Sequence, residues 1–163
     1  MSVRNCNELG VSLQKIIKRL LGNDELVKLL YYEDKDPLGQ PALSEEFKQK
    51  EIFEKLIKIV PLIGTNTDSK SRVLVYITRA GKYPQNNEFK NITIRISVFV
   101  PITNWIIKDS NLRPFAILGR LQESLDGKTI NGLGRLSGGD FELKLLTEEM
   151  SCYEQTYSLV EYD

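Results

Sequence analysis

Residues 92–100 read ITIRISVFV, apolar at every second position. A period of two puts Ile92, Ile94, Ile96, Val98 and Val100 on one side of an extended chain. Thr93, Arg95, Ser97 and Phe99 fall on the other side. Such alternation belongs to a half-buried antiparallel sheet. Pro101 ends the run. Val73, Val75 and Ile77 alternate with Leu74, Tyr76 and Thr78 and predict a second strand. The polar loop 79–90 joins the two. Each strand needs an apolar cover, which the flanking segments supply as helices.

Leu9, Leu13, Ile16, Ile17, Leu20 and Leu21 recur at three and four residues, the stripe of an amphipathic helix. Gly22 and Asn23 close it, and a short helix follows through Leu26, Val27, Leu29 and Leu30. Residues 33–42 connect, broken by Pro37, Gly39 and Pro41. Ser44 then reads as the N-cap of a helix carrying Phe47, Phe53, Leu56, Ile57 and Val60, stopped by Pro61. Ser110 or Asn111 caps a further helix with Pro114 in its first turn. Its stripe is Phe115, Leu118, Leu121 and Leu125, and Gly127 ends it. Strands follow at about 129–136, 140–147 and 151–161, with Gly138-Gly139 as the first turn. Phe141, Leu143 and Leu145 are expected on the core side of the second. The class is α+β: a mainly antiparallel sheet of four to five strands with helices on one face, in a single domain spanning 1–163.

Composition narrows the chemistry. The 163 residues carry 22 Lys+Arg against 22 Asp+Glu and no histidine. Zero net charge argues against the broad basic footprint of a typical nucleic-acid binder. The missing histidine excludes Ser-His-Asp triads, Cys-His pairs and most zinc sites. No apolar run approaches the roughly 20 residues of a membrane span. The N-terminus lacks a signal-peptide core, and Cys6 and Cys152 have neither metal-like spacing nor a nearby thiol, as suits a reducing cytoplasm. An enzyme is not the expectation.

The motifs agree. Gly127-Lys128-Thr129 looks like the end of a phosphate-binding loop, but Gln122 stands where that loop needs glycine, and the tripeptide follows a helix instead of opening one. Gly132 and Gly134 lack a third glycine, because position 137 is Ser137. The sharpest catalytic candidate is Glu142 with Lys144, one face of a strand. With Asp126 or Asp140 they resemble the carboxylate–lysine set of metal-dependent nucleases. The plain reading is the solvent side of an alternating strand. Arg72, Arg79, Lys82, Lys90 and Arg95, with Tyr76 and Tyr83, form a candidate basic patch for phosphate contact or the solvated side of a sheet. Trp105, Ile106 and Ile107 are either buried beneath the last helix or an exposed subunit contact. Neither a catalytic, a metal nor a cofactor site is assigned.

The order of elements carries a resemblance. A helical N-terminus leads into two strands, the second Ile92-Thr93-Ile94-Arg95-Ile96-Ser97-Val98. A stretch with Trp105 follows, and Leu112-Arg113-Pro114-Phe115 opens a helix that closes at Leu125-Asp126-Gly127-Lys128. The chain finishes with strands around Phe141-Glu142-Leu143 and Tyr153-Glu154-Gln155-Thr156-Tyr157. From about Leu9 onward this resembles the tail-terminator, or neck, proteins of long-tailed bacteriophages and phage-tail-like particles, relative to whose smaller members residues 33–61 look like a helical insertion. The resemblance implies a structural virion protein, built in the host cytoplasm. It would form a ring, commonly a hexamer, that caps the tail tube and meets the head connector. Its partners would be tube and connector proteins, with non-specific contact to DNA in the lumen and none to a membrane. Interface candidates are then Arg79, Lys82, Tyr83, Trp105, Ile106 and Ile107, together with the sheet edge. Lumen-facing candidates are Thr93, Arg95 and Ser97. Another head–tail adaptor or stopper, the nuclease and a host-directed binding module are the rival readings.

Overall fold

The computed structural model describes residues 5–59, 70–82, 85, 89–130 and 134–160. Helix α1, Cys6–Leu21, starts at Asn5, whose Oδ1 accepts from the Glu8 amide at 3.1 Å. Its expected stripe is buried at Ile16, Ile17, Leu20 and Leu21. Helix α2, Asp24–Tyr31, is capped in the same way by Asn23. Helix α3, Glu45–Phe47, is one turn with Ser44 as cap, and it widens into a π turn over Lys48–Ile52. The Phe53 amide closes that turn on the Lys48 carbonyl.

Here the structure corrects the sequence reading, which carried the helix to Val60. Glu54 takes a positive φ of 60°, the chain reverses, and Ile57–Lys58 form strand β1. The long strands are β2, Arg72–Lys82, and β3, Phe89–Pro101. Two short strands, β4 (Ile106–Ile107) and β5 (Asn111–Leu112), form a separate small ladder. Helix α4, Arg113–Leu125, follows directly. Neither Ser110 nor Asn111 caps it; Leu112 occupies that position without a side-chain bond. Strands β6 (Thr129–Ile130), β7 (Gly134–Leu146) and β8 (Met150–Val160) complete the chain.

The main sheet has six strands in the order β1-β2-β3-β8-β7-β6. It is mixed, because β1 runs parallel to β2 while the other pairs are antiparallel. The expected class, α+β, holds. The expected strand count falls short because β1 and β6 are two-residue strands that periodicity cannot reveal.

Register fixes the faces. Val73, Val75 and Ile77 sit opposite Val98, Ile96 and Ile94, which sit opposite Tyr153, Gln155 and Tyr157. This face meets α1 and α4, with α2 packed against α4. The core forms between them from α1, α2, α4, β2 and β3, with Leu136 and Tyr157 from the last two long strands. Gln155 is buried there and fully engaged. Its Nε2 donates to the Gly139 carbonyl at 3.1 Å, and its Oε1 accepts from the Tyr157 hydroxyl at 2.6 Å.

Gly138 and Gly139 do not form a turn. They lie inside β7, where one extra residue bulges between Gly138 and Asp140. A Cβ on Gly138 would collide with the Thr156 carbonyl. The turn is made further on, where the Thr147 Oγ1 accepts from the Glu149 and Met150 amides.

Candidate interaction surfaces

The β7–β8 hairpin runs past the helices. Gly127 and Lys128 bond main chain to main chain with Leu136, so the proximal half of β7 is tied to the end of α4. Beyond it, every residue from 140 to 146 is exposed. Phe141 is 50 % exposed, Leu143 44 % and Leu146 60 %. The sequence reading expected Phe141, Leu143 and Leu145 in the core; that is overturned. Alternation identifies an apolar side, but burial needs an opposing layer, and here α4 brings Phe115 against Phe141 without covering it.

A second irregularity, between Leu143 and Leu145, gives β7 an extra residue against Tyr153 and Cys152. Leu143 then shares the helix-side face with Tyr153, whereas Leu145 pairs with Cys152 on the opposite face. Both sides of the hairpin tip are therefore apolar and exposed. Aromatic rings gather at its base. Phe115, Phe141 and Tyr153 lie within 5.4–5.8 Å of one another, centroid to centroid. Trp105 adjoins Tyr153 at 6.3 Å, and its Nε1 donates to Ser151 Oγ at 2.9 Å. Offset and edge-on rings at such distances attract one another beyond their buried area.

The tripeptide 105–107 divides between its two readings. Ile107 is buried, Ile106 is 67 % exposed, and Trp105 is half-buried in the aromatic group. Arg79 and Lys82 are exposed near the far end of β2. Tyr83 lies outside the described residues.

The sheet face away from the helices holds a polar network. The Tyr76 hydroxyl bonds Ser97 Oγ at 2.9 Å and donates to Glu154 at 3.0 Å. Glu154 also meets Arg95 at 3.4 Å and Lys144 at 3.8 Å, and Lys144 meets Glu142 at 3.2 Å. Ser97 is only 7 % exposed, with its hydroxyl on Tyr76; Thr93 and Arg95 are half-buried. Burial and, next, the Glu154 carboxylate push the Cys152 thiol up to about 11. Burial also raises the Tyr76 phenol, against the Ser97 hydrogen bond. Cys152 is buried and Cys6 exposed, both as free thiols.

Glu142 and Lys144 do share this face, as alternation implies. Asp126, one suggested extra ligand, instead accepts the Gly138 amide at 3.1 Å. Among the described residues, no group of three His, Cys, Asp or Glu side chains is placed to hold a metal ion. The hollow between α1, α2 and α4 is lined by charges already engaged: Arg120 on Glu25 and Glu123, and Arg19 on the Ser124 carbonyl. No described helix is long and apolar enough to cross a membrane.

Comparison with known proteins gives one family. Its model, YomW, matches residues 23–159. No curated protein matches the chain.

Proposed function

The chain belongs to the YomW family, a phage-associated family, and from that premise we propose that it is a structural virion protein of the phage neck. Within the neck we assign it to the tail terminator: a hexameric ring that caps the tail tube and receives the head connector. It acts by shape and charge complementarity rather than by catalysis.

The observation that carries this reading is the outer half of the β7–β8 hairpin. It offers Phe141, Leu143, Leu145 and Leu146 to solvent on a strand edge with no partner among the described residues. An exposed strand edge that also bears large apolar side chains invites pairing with another chain. A subunit that works only when assembled has a use for it.

Two measurements test the proposal. Native mass spectrometry of the purified chain is expected to show a closed ring of about six copies, as structural assemblies favour closed point groups. Deleting the gene from its phage is expected to give overlong tails. Leaking heads with tails of normal length would place the protein in another neck layer, and particles indistinguishable from wild type would refute a neck role altogether.

A further inference from the structure

The main sheet ends in two open edges, and they differ in charge. On one side β1 covers only Val73 and Leu74 of β2. Among the described residues, positions 75–82 of β2 have no partner on their outer side. That stretch holds Arg79 and Lys82 and no carboxylate. On the other side β6 covers only Gly134 and Arg135 of β7. Positions 140–146 are open among the described residues. That stretch holds Asp140 and Glu142 against Lys144, and the turn beyond it adds Glu148 and Glu149.

We propose that these two edges meet between copies: β7 of one subunit pairs with β2 of the next, so that the sheet continues around the ring. This rests on the ring reading above and adds the surfaces that close it.

Direction, face and charge agree. The consecutive neighbours β2, β3, β8 and β7 are all antiparallel, so β7 runs opposite to β2. A second copy placed in the same order presents β2 antiparallel to β7. Arg79 pairs with Thr93, and Asp140 and Glu142 pair with Thr156 and Glu154. All of these lie on the face away from the helices. The ladders set Arg79 level with Ser137 and Asp140 level with Tyr76, so a next copy shifted by three residues along the strands brings its Arg79 beside Asp140 and Glu142, and its open stretch 75–82 beside the open stretch 140–146. Opposite charges across a strand pair stabilise it, and like charges destabilise it.

The contact is heterologous, two different patches of one chain, which is the kind that closes rings. It also gives the neutral composition a structural sense, since balanced totals are divided between two poles of one subunit. The register irregularities in β2 around Arg79 shorten the regular ladder there. Bulges increase local twist, so the junction is short, and side-chain charge sets its register.

The test uses two charge-reversed full-length chains. One carries Arg79→Glu; the other carries Asp140→Arg together with Glu142→Arg. All three positions are exposed, and circular-dichroism melting confirms that each variant folds. Each variant alone is expected to need about 100-fold more protein than wild type to assemble. Mixed one to one, they are expected to regain the ring, because each edge then meets its opposite. The readout is native mass spectrometry with sedimentation velocity. Variants that assemble like wild type, or a mixture that stays dissociated, overturn this junction while a wild-type ring leaves the neck reading standing. Loss of assembly with the β7 variant but not with Arg79→Glu indicates a β7–β7 contact and likewise overturns it. A wild-type chain that stays monomeric at every concentration overturns both.

Discussion

Arg113 is buried, and main-chain carbonyls converge on its guanidinium. Its Nη1 donates to Leu29 at 2.5 Å and Tyr32 at 2.8 Å, its Nη2 to Asp34 at 2.8 Å, and its Nε to Asn104 at 2.9 Å. One side chain thus fixes the exit from α2 and the entry to α4. Burial lowers its pKa and the nearby Asp34 and Glu33 carboxylates raise it, yet an arginine keeps its proton in proteins. Removing the donors leaves buried acceptors unmet. Arg113→Ala is expected to cost about 3 kcal/mol or more in urea unfolding, with Arg113→Lys recovering only part, because an ammonium lacks the planar fork. A loss below about 1 kcal/mol would show that water replaces the clamp. Alkali probes other residues. The Cys152 thiol is raised from 9.0 to about 11, and burial raises the Tyr157 and Tyr76 phenols as well. The folded state then holds these protons more tightly than the unfolded one. For Cys152 the contribution is complete below about pH 9 and is lost as pH rises through about 11; for the phenols it is complete below their ordinary pKa and is lost above it. With no histidine, no side chain has its ordinary pKa between pH 6 and 8. Thermal melts are expected to be level across pH 6–8 and to fall above 9, less steeply in Cys152→Ala. An equal fall in that variant would remove the thiol from the account.

Elements declared themselves in the sequence wherever a periodic stripe met an opposing layer. The run 92–100 is the centre of β3, and the α1 stripe from Ile16 to Leu21 is buried. Periodicity misled where it was short or where backbone geometry intervened. Phe47, Phe53, Leu56 and Ile57 have helical spacing, but a reversal at Glu54 turns the last of them into a parallel strand. Two consecutive glycines resemble a hairpin turn; here they permit a bulge where Gly138 lies against the Thr156 backbone. The candidate interface was legible only in outline. The sequence points to the sheet edge and Ile106, whereas its alternation places Phe141, Leu143 and Leu145 of β7 in the core, since hydropathy says which side of a strand is apolar and not what lies above it. Arg113 gave no sequence signal at all, because arginine is almost never fully buried unless paired.

For the whole molecule, the exposed hairpin and the opposed charges make separable contributions to assembly. Phe141, Leu143 and Leu146 keep about half of their surface in water, although the Phe141 ring also meets Phe115 of α4. Replacing one with serine therefore removes little from the folded monomer and more from an assembly that covers it. Burying half of a leucine or phenylalanine side chain contributes about 1 kcal/mol, close to a tenfold change in association. Leu143→Ser and Leu146→Ser are each expected to weaken assembly about fivefold to tenfold, with the melting temperature of the dissociated subunit nearly unchanged. Salt distinguishes this apolar share from the charged one. Sodium chloride screens ion pairs between subunits, whereas sulfate strengthens apolar burial. Wild-type assembly is thus expected to weaken in 0.5 M sodium chloride and recover in ammonium sulfate of equal ionic strength. The serine variants are expected to keep the chloride response and lose part of the sulfate response, read by sedimentation velocity. If instead the serine variants melt several degrees lower as monomers, these side chains serve the fold, and the hairpin tip loses its claim as a contact.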